Sequence, residues 1–260
     1  MTTFNISIMK KLILFSAILT LISCNNSEKK QAEPVHGSEA VLIVNYQLDN
    51  MSLEEHAELG SAVAPSFVSE NVPGLLGKSF IGDVERGVFG GVYYFENSES
   101  VTTYLDSELW KGVVGHPNLV EFKTDVFKTF NGTELANGVH SSRKTSSDPV
   151  DTENLHILVV NYTYTEAPTN EEMSSQIKEF APVFSNENFP GMIGKTMINN
   201  TEDKVYGGVY YFTSRDAIEN YFQSDLWNGF EGDVNTDVYK KDIYGVASIS
   251  TISNGVPVLD

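Results

Sequence analysis

Cysteine is almost missing from this chain. Cys24 is the only one, so no intrachain disulfide can form. Basic residues are scarce too: 17 Lys and Arg stand against 35 Asp and Glu, a formal net charge of −18. A chain this acidic is repelled by phosphate backbones and anionic lipid surfaces, which argues against nucleic acid as a partner and against a basic membrane patch. The five histidines, His36, His56, His116, His140 and His156, form no His-Glu-x-x-His pair. None recurs at an equivalent place in the repeat described below, so no metal site shared by both copies is expected. Phosphate-loop and dinucleotide-binding glycine patterns are absent, as is a nucleophile elbow. Gly90-Gly91 lacks the further glycines and leads into a strand pattern, not a helix.

Long apolar runs are missing except near the N-terminus. Lys10-Lys11 precedes an apolar stretch from Leu12 to Ile22 that ends in Leu21-Ile22-Ser23-Cys24. A membrane span needs about 20 apolar residues, whereas a basic start, a short apolar core and a small-residue cleavage site describe a secretory signal. The Leu-Ile-Ser-Cys ending resembles the bacterial lipobox, which implies lipidation at Cys24 and a cell-envelope location, lipid-anchored to a bacterial membrane. The expected organisation is a signal peptide over 1–23, a polar tether over 24–38, a first domain over 39–132, a linker over 133–153 and a second domain over 154–260.

What the chain does have is one unit written twice. Gly-Gly-Val-Tyr-Tyr-Phe occurs at Gly90–Phe95 and at Gly207–Phe212, 117 residues apart. Pro73-Gly74 answers Pro190-Gly191, Gly77-Lys78 answers Gly194-Lys195, and Leu109-Trp110 answers Leu226-Trp227. Before Pro182 the offset falls to 116, which places one inserted residue of repeat two in the loop or first helical turn after the opening strand. Within a unit, β-branched and aromatic runs predict strands over 40–46, 75–81, 88–95 and 119–130. Ser52 with Glu55 predicts a capped helix that Pro65 kinks or ends. A second helix is expected from Ser98 to Trp110, stopped by Gly112. The order βαββαβ is the ferredoxin-like unit, an α+β fold with both helices on one face of an antiparallel sheet. Its other face is bare and apolar, so two tandem copies are expected to bury those faces against each other.

Pro73-Gly74-Leu75-Leu76-Gly77-Lys78, the doubled Gly-Gly-Val-Tyr-Tyr-Phe, the helix with Tyr104, Leu105 and Leu109, and Asp125-Val126-Phe127 together resemble the YdhR-like putative monooxygenase family. Repeat two matches with Pro190–Lys195, Gly207–Phe212 and Asp242-Ile243-Tyr244. That family belongs to the dimeric α/β-barrel superfamily. The resemblance implies an intrachain dimeric α/β barrel, a chain monomeric because its two halves already pair, and oxygenation of a small aromatic substrate without a cofactor. Its motifs are mainly structural, and fold alone does not dictate function.

Candidate residues follow in pairs. Lys78 and Lys195 sit in short apolar strands, where a lysine either faces a cleft as an anion holder or base, or runs its stem over apolar surface. Asn45 and Asn161 end the first strands and either orient a substrate carbonyl or satisfy backbone. Tyr46, Tyr94, Tyr104, Trp110, Tyr162, Tyr211, Tyr221 and Trp227 are candidate pocket walls or core. Strand alternation sends one tyrosine of each Tyr-Tyr pair to the helices and the other to the partner repeat. The same superfamily includes haem-degrading enzymes with an Asn on the first strand and a later His, so Asn45, Tyr104 and His116 admit a haem alternative, although repeat two has Asp233 where repeat one has His116. The remaining alternative is a lipid-anchored binding protein that holds a small apolar ligand without turnover.

Overall fold

A computed structural model describes residues 38–130, 154–180, 183–184 and 187–248. The expected signal with Cys24, the tether up to residue 37, Pro182 and the linker 133–153 lie outside them.

Repeat one contains β1 (Ala40–Leu48), α1 (Leu53–Val63), β2 (Leu75–Asp83), β3 (Val88–Phe95), α2 (Ser98–Leu105), α3 (Glu108–Val114) and β4 (Leu119–Thr129). Repeat two contains β5 (His156–Tyr164), α4 (Asn170–Phe180), β6 (Met192–Asn200), β7 (Val205–Phe212), α5 (Arg215–Phe222), α6 (Asp225–Glu231) and β8 (Thr236–Val246). The strands close into one antiparallel barrel in the order β1-β3-β2-β8-β5-β7-β6-β4. Two short ladders join the halves, β2 with β8 at Ile81↔Val246 and Gly82↔Gly245, and β4 with β6 at Lys128↔Asn199 and Thr129↔Ile198.

Ser52 caps α1 as its spacing predicts: its Oγ accepts from Glu55 N at 3.2 Å, and Glu55 Oε2 accepts from Ser52 N at 2.8 Å. Thr169 and Glu172 repeat the box on α4, with Thr169 N donating to Glu172 Oε2 at 2.9 Å. The two boxes are already 117 apart in sequence, so the inserted residue lies in the loop before the helix and not in its first turn. Pro65 ends α1, and a 3₁₀ turn follows at Ala64–Ser66.

The expected single helix over Ser98–Trp110 is two helices. Ser107 breaks it: its Oγ donates to Tyr104 O at 2.6 Å and accepts from Trp110 N at 3.2 Å, so one hydroxyl closes α2 and opens α3. Ser224 does the same between Tyr221 O (2.7 Å) and Trp227 N (3.2 Å). Gly112 lies inside α3, which ends at Gly115 instead.

Three cores result. Inside the barrel, Val41, Ile43, Val92, Tyr94 and Phe127 meet Ile157, Val159, Val209, Tyr211 and Tyr244. Two further cores lie between the sheet and the helices of each repeat, around Phe67, Phe80, Tyr93 and Tyr104 in one and Phe184, Tyr210, Tyr221 and Trp227 in the other. Burying the bare sheet faces on each other, as the repeat predicts, removes the apolar surface that one copy would leave in water.

The seam also carries a polar thread. Tyr94 Oη donates to Tyr211 Oη at 3.0 Å, and Tyr211 Oη pairs with Ser79 Oγ at 3.0 Å. All three side chains are buried. Tyr211→Phe deletes the hydroxyl that bonds both Tyr94 and Ser79 and is expected to cost about 1–3 kcal/mol, read from the denaturant midpoint of the full chain. Phe at position 211 without loss of stability would mean that the thread contributes nothing.

Candidate functional site

Strand alternation sorts the candidate residues onto two faces. In β2 it turns Lys78 and Phe80 toward the helices and Ser79 and Ile81 into the barrel. Lys78 is only 5% exposed, and its Nζ lies 3.6 Å from the Phe67 ring centre, 3.8 Å from Phe80 and 4.5 Å from Tyr93. Lys195 is also 5% exposed, 3.4 Å from Phe184 and 4.4 Å from Tyr210. Phe80 has Met197 as its counterpart, so the aromatic box around Lys195 has one ring fewer than the one around Lys78. Burial holds both amines well below the usual lysine range, so each favours its neutral form.

The doubled Gly-Gly makes room for this arrangement. A Cβ on Gly91 would stand 2.7 Å from Lys78 Cε and 2.9 Å from the Tyr93 ring. A Cβ on Gly208 would stand 3.1 Å from Lys195 Cε and 2.7 Å from the Tyr210 ring. The motif that marks the duplication therefore vacates the space through which each lysine stem passes.

Around each lysine the aromatic groups converge from three elements. In repeat one Tyr93 comes from β3, Tyr104 from α2 and Tyr46 from β1. The Tyr93 and Tyr104 rings are 5.4 Å apart, Trp110 is 5.6 Å from Tyr104, and Phe122 lies 6.0 Å from Trp110 and 5.3 Å from Tyr46. Burial pushes Tyr104 and Tyr46 each up to about 12, so both phenols stay protonated at neutral pH. Tyr104 Oη has no hydrogen-bond partner of good geometry among the described residues. Repeat two assembles Tyr210, Tyr221, Trp227 and Tyr162 in the same way, with Tyr210–Tyr221 at 5.7 Å and Tyr221–Trp227 at 5.5 Å.

Lys78 does not share a face with the candidates Asn45 and Tyr94, nor Lys195 with Asn161 and Tyr211. Tyr94 and Tyr211 point into the barrel, where they bond each other. Asn45 follows Val41 and Ile43 on the barrel face, and Asn161 follows Ile157 and Val159, because positions two apart in a strand share a face. Both Oδ1 atoms are buried without a partner among the described residues. The tyrosines beside the lysines are Tyr93 and Tyr210, one residue earlier. The register of the paired strands decides this: Lys78 lies opposite Tyr93, and Lys195 opposite Tyr210.

His116 stands in the turn after α3. Its Nδ1 accepts from Asn118 N at 3.3 Å, and in repeat two Asp233 Oδ1 accepts from Asn235 N at 2.9 Å. One turn-closing role thus accounts for both residues, although they share no chemistry beyond an acceptor atom. Among the described residues no three His, Cys, Asp or Glu side chains converge to hold a metal ion.

The model of the family described as putative mono-oxygenase ydhR matches the chain twice, over residues 41–138 and 157–256. The chain belongs to that family. Among solved structures, a putative monooxygenase from Fusobacterium nucleatum superposes with a TM-score of 0.55 at 9% identity, covering 86% of this chain and 98% of that one. A putative monooxygenase from Lactobacillus acidophilus gives 0.50 at 11% identity, covering 85% and 100%. Chlorite dismutase from Candidatus Nitrospira defluvii in complex with imidazole gives 0.52 at 9% identity, covering 83% and 93%. At these identities the likeness is one of fold. No curated protein sequence matches the chain. Both matched copies carry the lysine and the tyrosines of the helix-side cores.

Proposed function

We propose that the protein oxygenates a small aromatic substrate in the helix-side core of its repeats, with the neutral lysine as base and no bound cofactor. The buried lysine held among aromatic faces is the observation that carries this reading. An uncharged amine in a water-poor aromatic site is suited to removing a proton from a phenol or from a CH₂ flanked by rings. The substrate anion then gives electrons to dioxygen. For such a CH₂, one oxygen atom becomes the carbonyl oxygen, and the other leaves as water with both hydrogens. The rings of Tyr104 and Trp110, and of Tyr221 and Trp227, already touch at a steep angle, so a flat substrate would lie beside these pairs and not between them.

A lipid on Cys24 would hold the protein at the envelope surface of a bacterial membrane; among the described residues no helix is long and apolar enough to cross one. Closure of the barrel within one chain supports a monomer. Haem ligated by His116 has less support, since its Nδ1 is engaged by the backbone and its counterpart is Asp233.

Oxygen uptake by the purified full chain, over a panel of phenols, naphthoquinols and aryl ketones with an activated CH₂, tests the reading. Uptake is expected in the wild type and is expected to fall at least about 100-fold in Lys78→Met combined with Lys195→Met. Unchanged uptake in the double variant removes the lysines as bases. Tight retention of an aromatic compound without uptake by the wild type favours a binding protein instead.

A further inference from the structure

The two boxes differ at one chemically important place. Tyr46 Oη lies 2.9 Å from His56 Nε2, and the imidazole packs at 4.7 Å on Phe89 and at 5.8 Å, edge-on, against Tyr46. Repeat two has Met173 where repeat one has His56. Tyr162, the counterpart of Tyr46, instead packs against Tyr164 at 5.3 Å and Phe230 at 4.9 Å, and its hydroxyl interacts with that of Tyr164. Tyr46 and His56 are both half-buried, and Tyr46 reaches the helix-side core through Phe122 and Trp110.

We propose that the two sites are unequal: the repeat-one site binds an aromatic ketone or quinone through a hydrogen bond from Tyr46, which His56 positions, and the repeat-two site lacks that bond. This rests on the reading that the helix-side cores take aromatic substrates. With the imidazole in its Nε2–H form, His56 donates to Tyr46 Oη and leaves the phenol hydrogen for a substrate oxygen. A phenol that already accepts a hydrogen bond is a stronger donor, because hydrogen bonds in a chain polarise one another. Burial lowers the proton affinity of His56, which favours the neutral imidazole, and the proposal places its one ring proton on Nε2. Tyr46 thereby takes the orienting role that the sequence left open to Asn45, which faces the barrel. His56 touches no substrate in this arrangement; it acts through Tyr46.

The chain supplies its own reporters. Its only two tryptophans are Trp110 in repeat one and Trp227 in repeat two. In full-chain Trp227→Phe the remaining emission reports repeat one, and in Trp110→Phe it reports repeat two. Titration with 1,4-naphthoquinone is expected to quench Trp110 at concentrations about tenfold lower than Trp227, the worth of one hydrogen bond of about 1.4 kcal/mol. His56→Met, which installs the residue that repeat two already carries, should bring repeat one to the repeat-two affinity and leave repeat two unchanged. His56→Gln, which retains a side-chain N–H donor, should recover most of the difference, an outcome that a packing role alone does not produce. Calorimetry on chains with both tryptophans gives the same answer without either Trp variant: the tighter class of site should be lost in His56→Met. Equal affinities in the two copies, or His56→Met without effect, overturn the inference and leave the proposed site standing. No binding in either copy removes the aromatic site and the inference together.

Discussion

Replacing Lys195 with methionine makes the protein more stable at neutral pH. Methionine keeps the length and apolar packing of the stem and deletes a buried amine set against Phe184 and Tyr210. The pH dependence carries the sign. In the unfolded chain the lysine titrates near its ordinary value of 10.5, and burial depresses it in the folded chain. Between those two values the unfolded state binds a proton that the folded state does not. Stability of the wild type therefore falls as pH drops from about 10.5 toward the folded value, by about 1.4 kcal/mol for each unit of depression. Lys195→Met removes that slope, so its advantage over wild type should be absent above pH 11, grow as pH falls and become constant below the folded value. Urea unfolding at a series of pH values reads it directly. A variant less stable than wild type at pH 7 would show that the amine is charged and satisfied. Gain of stability joined to loss of oxygen uptake in the double lysine variant is the pattern of a group kept for chemistry at a structural cost.

Alanine at Gly90 or Gly207 prevents the native barrel from forming. A Cβ at Gly90 would stand 1.8 Å from Val44 O, and one at Gly207 would stand 2.1 Å from Val160 O. Both obstructing atoms are backbone of the adjacent strand, and each strand pair is laddered along its length, β1 with β3 and β5 with β7. No rotamer change relieves such an overlap, and the strands can separate only by losing ladder bonds. The expected loss exceeds about 4 kcal/mol, which for a domain of ordinary stability means little folded protein. Gly112→Ala is the control. A Cβ there meets nothing within 4 Å, and Gly112 lies inside α3, so alanine should add about 0.5–1 kcal/mol. Circular dichroism and the thermal midpoint separate the cases. A folded, cooperative Gly90→Ala would show that β1 and β3 are not held at this separation.

The fold was legible because its signals repeat. Two βαββαβ patterns and two bare apolar faces leave one economical arrangement, the faces packed on each other, and the closed strand order realises it. The break between α2 and α3 was missed because apolar spacing runs on through Leu105 and Leu109. The deciding group is one hydroxyl, Ser107 Oγ, which spans Tyr104 O and Trp110 N. Ser-x-x-Trp stands at the same place in both copies, and each N-cap serine there bonds the Trp backbone N–H. Sequence placed the two lysines on the correct strands. It named Tyr94 and Tyr211, not Tyr93 and Tyr210, as candidate walls, because alternation says only that the two tyrosines of each pair part company. Which of them joins Lys78 depends on register across β2 and β3, shifted by a bulge between Leu75 and Gly77. His56 was set aside with the other histidines because repeat two has Met173 in its place; its importance lies in its distance from Tyr46, which a sequence does not display.

Labelled dioxygen tests the central claim most directly. The purified full chain is incubated under isotopically labelled oxygen with whichever panel compound supports uptake, and the product is weighed by mass spectrometry, with the double lysine variant in parallel. One labelled atom in the product from the wild type, and none from the variant, is the predicted result. Label found only in water or peroxide, or equal incorporation by both proteins, would contradict oxygen insertion at the buried lysines.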